Sequence, residues 1–254
     1  MTNRGAAGKR TRKPAAPDVV YVVRPGDDNE ELRYSLRSVA AHAPHRHVWI
    51  VGTVPTWVRG IKGLPLVPQP EKFANQRQSL HAIAAHPDIS DPFVLFNDDM
   101  FVMEPITEWR TWNLDTIEEH FGGPIGNVDP DHPWMYAVWH TYKWMGEQGH
   151  PNPLYYENHT PLLYDKVKLA DVLSRYPAGK PFVVNGTYPL CGAGGEGEWG
   201  ANAKLAYEGA RSLIASLALG MPYLSTEDES FANEVLGEHI RATFPDPGPY
   251  EEAL

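Results

Sequence analysis

The chain has one cysteine, Cys191, in 254 residues, which excludes an internal disulfide. It has no run approaching the roughly 18 unbroken apolar residues that a membrane-crossing helix needs. Positive charge is scarce: 22 Lys and Arg stand against 32 Asp and Glu, for a net charge of −10. Such a surface does not attract nucleic acid or anionic membrane as a whole. There is no Walker loop, no G-x-S-x-G elbow and no cysteine cluster for zinc, and Gly192–Gly200 reads as following no glycine-rich dinucleotide fingerprint. P-loop, serine-hydrolase, zinc-finger and dehydrogenase readings therefore drop out. The first 13 residues, MTNRGAAGKRTRK, carry Arg4, Lys9, Arg10, Arg12 and Lys13 with no acid and no apolar run. They read as neither signal peptide nor anchor, and the expected compartment is cytoplasmic. Residues 1–17 are expected to form a solvated basic tail. The alternative is a basic arm on an anionic partner such as DNA, which the net charge does not favour.

What is present suits a packed α/β domain. Hydrophobic residues make up 42% of the chain and aromatics 11%, with 8 tryptophans. Aromatic-rich domains of this kind stack ring faces on the apolar faces of sugars. DVVYVVR (Asp18 to Arg24) is a β-branched run suited to a buried strand. Asp28 then opens a helix with Glu31 three positions on, a capping-box pattern, and Leu32, Leu36 and Val39 share one face. Pro44 ends it. Further strands are expected at His47–Gly52, at Leu64–Val67 and over PFVLFNDD, with a helix over Asn75–Ala85 between them. Strand and helix alternate, which predicts a mainly parallel sheet with crossover helices. The second half is less regular. Helices are expected at Pro133–Gln148, Lys166–Tyr176 and Glu227–Ile240, and CGAGGEGEWG reads as a mobile loop and candidate lid. The ending FPDPGPYEEAL reads as an extended, proline-stiffened tail. Residues 18–254 are taken as one domain.

The chemistry concentrates in FVLFNDDMF, where a buried-looking strand runs into Asn97, Asp98 and Asp99. Adjacent carboxylates repel, and burying them costs several kcal/mol unless a cation is near. A surface turn is the bland reading. A divalent-metal site is the other, since carboxylates are hard ligands for Mg²⁺ or Mn²⁺ and ligands of parallel sheets bind at the carboxyl ends of the strands. Arg24 and Gly52 would share that edge. The arrangement is similar to the D-x-D motif of glycosyltransferases. His159, in YYENHTPLLYD, is structural or else a metal ligand or phosphate contact. Glu227 and Asp228 are helix-start acids favoured by the dipole, or a general base toward an acceptor hydroxyl. Arg24, Arg33, Arg37 and Arg77 are candidate phosphate partners, with a solvated face the stronger reading for Arg33 and Arg37.

ELRYSLRSV (Glu31 to Val39), HVWIVGTVPTWV and FANQRQSLHAIAAHPDISDPFVLFNDDMFV together resemble the second region of the Stealth proteins, sugar-phosphate transferases of capsule synthesis and lysosomal-enzyme tagging. YENHTPLLYDK resembles the third region, and STEDESF with FPDPGPYEE the fourth. The first region departs: the family has VVYTWVDGSD where this chain has VVYVVRPGDD, so Pro25 stands where the family has an active-site acid. The resemblance implies a GT-A-like (Rossmann-like) α/β fold and UDP-sugar donors. By position it places Asn75 at the family's FNS asparagine, Asp98 and Asp99 at its paired acids, and His159 at its third-region histidine. The resulting expectation is a metal-dependent glycosyltransferase. A nucleotide-sugar, taken as a UDP-sugar, would be held by Arg24, Asn75, Arg77, Asn97 and Asp98. Asp99 and His159 would hold Mn²⁺ or Mg²⁺, and Asp228, Glu227 or His159 would act on a hydroxyl of a polysaccharide, protein or hydroxylated DNA base. The alternatives are sugar-1-phosphate transfer releasing UMP, and a non-catalytic nucleotide-sugar-binding module.

Overall fold

The computed structural model describes residues 15–23, 26, 28–126, 131–205, 220–232 and 234–252. Arg24, Pro25 and most of the expected basic tail lie outside the described residues.

The centre is a five-stranded sheet built from β1 (Asp18–Val23), β2 (Val48–Gly52), β3 (Lys62–Leu64), β4 (Phe93–Phe96) and β8 (Leu162–Tyr164), in the order β3-β2-β1-β4-β8. The pairs β1–β2, β1–β4 and β2–β3 are parallel, and β8 closes the edge antiparallel to β4. Both faces are covered, which is why the strands read as unbroken apolar runs rather than alternating ones. Val20, Trp49, Val51, Phe93 and Leu95 pack on α2 (Lys72–Ala85) and α5 (Lys166–Arg175), through residues such as Leu80, Ile83, Leu169 and Val172. Val19, Tyr21, Ile50, Val94 and Phe96 pack on α1 (Glu30–His42), through Leu32, Leu36 and Val39. Two small sheets flank this core: β10 (Lys204–Leu205), β11 (Tyr223–Thr226) and β5 (Met100–Val102), and β7 (Leu154–Tyr155), β6 (Trp112–Thr116) and β9 (Glu198–Trp199). The remaining helices are α3 (Ile117–Phe121), α4 (Pro133–Glu147), α6 (Tyr188–Cys191), α7 (Asp228–Ala232) and α8 (Glu234–Thr243). None of the described helices is long and apolar enough to cross a membrane.

The expected α/β alternation is present, with boundary shifts that have physical reasons. The first helix is capped by Asn29, not Asp28. The Asn29 Oδ1 accepts from Leu32 N–H at 2.9 Å while its Nδ2 donates to Asp98 Oδ2 at 2.6 Å, a double role that a carboxylate at this position cannot fill. The third strand sits at Lys62–Leu64, before the proline-rich Leu64–Val67 stretch. α2 starts at Lys72 because Glu71 caps it, accepting from Phe73 and Ala74 N–H. The strand expected to run through Asp99 stops at Phe96.

Two expectations are overturned by packing. CGAGGEGEWG is not free to act as a lid here. Its backbone donates from Ala193 to Leu163 O, from Glu198 to Thr111 O and from Gly200 to Asn113 O, while Glu196 O accepts from Asn113 and Tyr156. At Gly197 (φ +79°) a Cβ would meet Thr111 O at 2.3 Å, so the glycines serve close approach to β6. The letters G-x-G-x-x-G do occur at Gly192, Gly194 and Gly197, but α6 precedes them and β9 follows, so no helix N-terminus is available for a phosphate. The second overturned expectation concerns Arg33, Arg37 and the proline-rich ending. Arg37 is buried and binds Glu251 with two hydrogen bonds, from Nε at 2.6 Å and Nη2 at 2.8 Å, and Arg33 Nη1 joins at 2.7 Å. The ending docks on α1 through this clamp.

Candidate functional site

The chain turns at Asn97–Asp99 because β5 leaves the main sheet to pair antiparallel with β11. This turn lies at the carboxyl end of β4, on the same edge as the ends of β1 and β2. It is a turn, but not a solvated one. Asn97 is exposed, Asp98 is buried, and the Asp99 side chain retains 18% exposure. The backbone is tied down by Thr226 N–H donating to Asp99 O at 3.0 Å.

Four acidic residues from separate parts of the chain act on one another here. Asp98 Oδ2 is held by the α1 cap, Asn29. Asp99 Oδ2 lies 3.6 Å from Lys204 Nζ, while its Oδ1 is buried without a hydrogen-bond partner. Burial pushes the Asp99 carboxyl up to about 6; Lys204 opposes the shift and Asp98 adds to it. Glu31, on the first turn of α1, accepts from Thr226 Oγ1 at 2.6 Å. Burial lifts it to about 7; the Thr226 bond opposes the lift, and the charges of Asp99, Asp228 and Asp98 add to it. Both carboxyl groups are raised first by burial and then by the negative charges beside them.

His159 stands at the same place by way of Lys204. It adopts a left-handed backbone (φ +53°) and its Nδ1 lies 3.2 Å from Asn202 Oδ1. Burial lowers its pKa to about 4, with Lys204 and Lys72 adding to the shift and the Asn202 bond opposing it. The imidazole is therefore neutral at pH 7 and keeps a lone pair. Glu157, two residues earlier, is buried and pushed up to about 8 by burial; the Gly186 backbone and Lys72 oppose the shift, and its Oε1 has no partner.

The expected residues divide. Asp98, Asp99 and Asp228 converge, and His159 joins them through Lys204. Asn97 lies on the turn but points outward. Glu227 is exposed, and its backbone exchanges hydrogen bonds with Ser230 Oγ. Asn75 Oδ1 accepts from Gln69 N–H, which fixes the lead-in to α2. Arg77 donates to the carbonyls of Leu173, Tyr176 and Pro177, closing the C-terminus of α5 rather than standing free for a diphosphate. Arg24 lies outside the described residues. Sequence reasoning missed Glu31 and Lys204. Glu31 looked like a capping-box acid; Lys204 carries no sequence signal at all.

Among the described residues no three His, Cys, Asp or Glu side chains gather as a metal-holding group. The donor set instead suits an ion that takes one or two carboxylates and completes its shell with substrate phosphate and water, as Mg²⁺ does. The unpartnered, buried Asp99 Oδ1 is the observation that fits it. Asp99 with the second oxygen of Asp98 would be the protein ligands.

Comparison with known proteins finds partial similarities. Residues 26–120 match the family model described as Stealth protein CR2, conserved region 2. The exopolysaccharide phosphotransferase CpsY of Mycobacterium leprae is 32% identical over 104 residues, covering 34% of this chain and 19% of that protein. The N-acetylglucosamine-1-phosphotransferase subunits alpha/beta of Homo sapiens are 37% identical over 86 residues, covering 29% of this chain and 7% of that protein. The chain thus spans about a fifth or less of the length of these relatives. His159, Lys204 and Asp228 lie beyond the matched region. Glu31, Asp98 and Asp99 all lie inside that region, so this part of the chain is similar to Stealth conserved region 2.

Proposed function

We propose that this chain is a sugar-phosphate transferase with a GT-A-like core, moving a sugar 1-phosphate from a nucleotide-sugar, taken as a UDP-sugar, to a hydroxyl acceptor. The observation that carries the reading is the convergence of Glu31, Asp98, Asp99 and Lys204 at the carboxyl edge of a parallel sheet. The resemblance to two phosphotransferases favours phosphosugar transfer over the simple hexosyl transfer expected first. The acceptor oxygen attacks the phosphorus that carries the sugar, the bond from that phosphorus to the bridging oxygen breaks, and UMP leaves with the electron pair. The acceptor proton passes to a base. Neutral His159 fits that role because its depressed pKa keeps the lone pair free at pH 7. Lys204 supplies positive charge beside the transferred phosphoryl group. A divalent cation on Asp99 and Asp98, when bound, would neutralise diphosphate charge. Asn29 orients Asp98, and Thr226 orients Glu31.

A second reading has one observation behind it. Pro25 replaces the acid that the resembled family has in its first region, and hexosyl transfer releasing UDP does not call on that acid. The products separate the two. The chain is incubated with Mn²⁺ and a panel of nucleotide-sugars, and nucleotides are resolved by chromatography. The expected result is UMP, lost in Asp99→Ala and on chelation. UDP in its place moves the reading to hexosyl transfer. Neither product, with donor binding intact, removes the transferase reading in favour of a binding module.

A further inference from the structure

A cavity of about 330 Å³ lies away from the acid cluster. It lies between the N-termini of α2 and α4 and the segment at Gly179–Pro181, on the side of the main sheet covered by α2 and α5. The acid cluster is tied to α1 and β11, on the other side. Lys72, at the start of α2, links the two places, since its charge reaches both Glu157 and His159.

The cavity wall combines an aromatic face with two cationic side chains, Arg77 and Lys180, against one acid, Glu71. Tyr136 is half-buried and belongs to a partly exposed ladder on α4: its ring stacks 6.1 Å from Trp139 and meets His140 edge-on at 4.6 Å. Lys143 Nζ sits 5.2 Å over the Trp139 ring. Lys180, on the opposite wall, is exposed and makes no ion pair among the described residues. Arg77 uses Nη1 and Nη2 on the α5 carbonyls, and those partners are neutral, so its charge is uncompensated and its Nε–H makes no hydrogen bond among the described residues. The one acid on the wall, Glu71, keeps its charge but has both oxygens turned to the α2 cap, so Arg77 and Lys180 outweigh it by one. The local field is positive. His140 is lowered by burial, then by Lys180 and Lys143, and His81 is lowered by burial, then by Arg77. On a chain of net charge −10, such a pocket selects for an anion. An aromatic platform with flanking polar groups is the chemistry that holds a pyranose ring.

We propose that this cavity is the subsite for an anionic saccharide, with one sugar ring against Tyr136 and its carboxylate or phosphate held by Lys180 in the positive field of Arg77. The proposal rests on the transferase reading only in making this saccharide the acceptor; the binding itself is independent of it.

Binding to the full chain is measured by calorimetry at low salt with four probes: tetragalacturonate, a phosphorylated maltotetraose, neutral maltotetraose and inorganic phosphate. At least one anionic saccharide is expected to bind about tenfold or more tighter than neutral maltotetraose, and the tighter of the two names the substituent. Lys180→Glu and Tyr136→Ala are each expected to weaken it about tenfold with donor hydrolysis unchanged, and Lys180→Glu with the melting temperature unchanged as well. Equal binding of neutral and anionic saccharides overturns the proposal, as does inorganic phosphate binding as tightly as the saccharides. No binding by any probe, or binding indifferent to Lys180→Glu, also overturns it. Variant-sensitive binding in a chain that hydrolyses no donor keeps the subsite and sinks the transferase reading instead.

Discussion

Replacing Glu251 by alanine is expected to do more damage than a change in a proline-rich ending ordinarily does. Its side chain is 1% exposed and accepts four hydrogen bonds: two from Arg37, one from Arg33 Nη1 and one from Gly248 N–H at 2.9 Å. Arg37 is 8% exposed, so removing the carboxylate strands a guanidinium away from water. Breaking such a pair from one side costs about 3–5 kcal/mol. For a chain of this length about 2–4 °C is lost per kcal/mol, so a melting-temperature drop of roughly 10 °C follows. Urea unfolding followed by tryptophan fluorescence measures it. The pH dependence has a definite sign. Burial alone would raise the Glu251 pKa, but the bonds from Arg37, Gly248 and Arg33 outweigh it and hold the group below its ordinary value. Its stabilisation is therefore complete above the ordinary glutamate pKa of about 4.3 and lost as pH falls through the depressed folded value. The gap between wild type and variant should close in acid. The double variant Arg37→Met, Glu251→Leu should recover most of the loss, because no charge is left buried. A cost below about 1 kcal/mol at pH 7 would refute the reasoning: it would mean that the ending lifts away and water reaches Arg37. The clamp matters to the site because α1 carries Asn29, which orients Asp98, and Glu31.

Two further expectations test the frame around the site. Gly197→Ala places a Cβ 2.3 Å from Thr111 O at φ +79° and should cost about 2–4 kcal/mol, whereas Gly195→Ala, at φ +73° with open space around it, should cost only the backbone strain of about 1–2 kcal/mol; thermal melts compare them. Asp18 is fully buried and accepts from Arg46, Trp49, His47 and Ser90, so Asp18→Asn should lose about 2–3 kcal/mol at neutral pH. Burial works to raise the Asp18 pKa and its hydrogen bonds overcome that, so the loss should shrink as pH falls through the lowered pKa in denaturant titrations.

The sequence by itself determined the parallel core, because DVVYVV, VWIVG and FVLF are β-branched or aromatic runs separated by helices at 3.6-residue spacing, and that pattern has few packings. It also marked Asp98 and Asp99, since two carboxylates at the end of an apolar run are conspicuous whatever surrounds them. The starts of α4 at Pro133 and α5 at Lys166 were legible in the same local way, with each end one residue earlier than expected. What only the tertiary structure decided were partners far apart in the chain. Lys204 beside Asp99, Thr226 on Glu31 and Glu251 on Arg37 are separated by 105, 195 and 214 residues. No local propensity encodes such pairings. Arg37 looked solvated because a lone arginine on a polar helix face usually is; burial became affordable only when Glu251 arrived. Arg77 looked free for phosphate because the carbonyls it closes belong to a helix almost a hundred residues on. The glycine run looked mobile because glycine permits motion, yet here it permits contact with β6. Charge, burial and hydrogen bonding are properties of neighbourhoods, and the neighbourhoods of this chain are set by the sheet order.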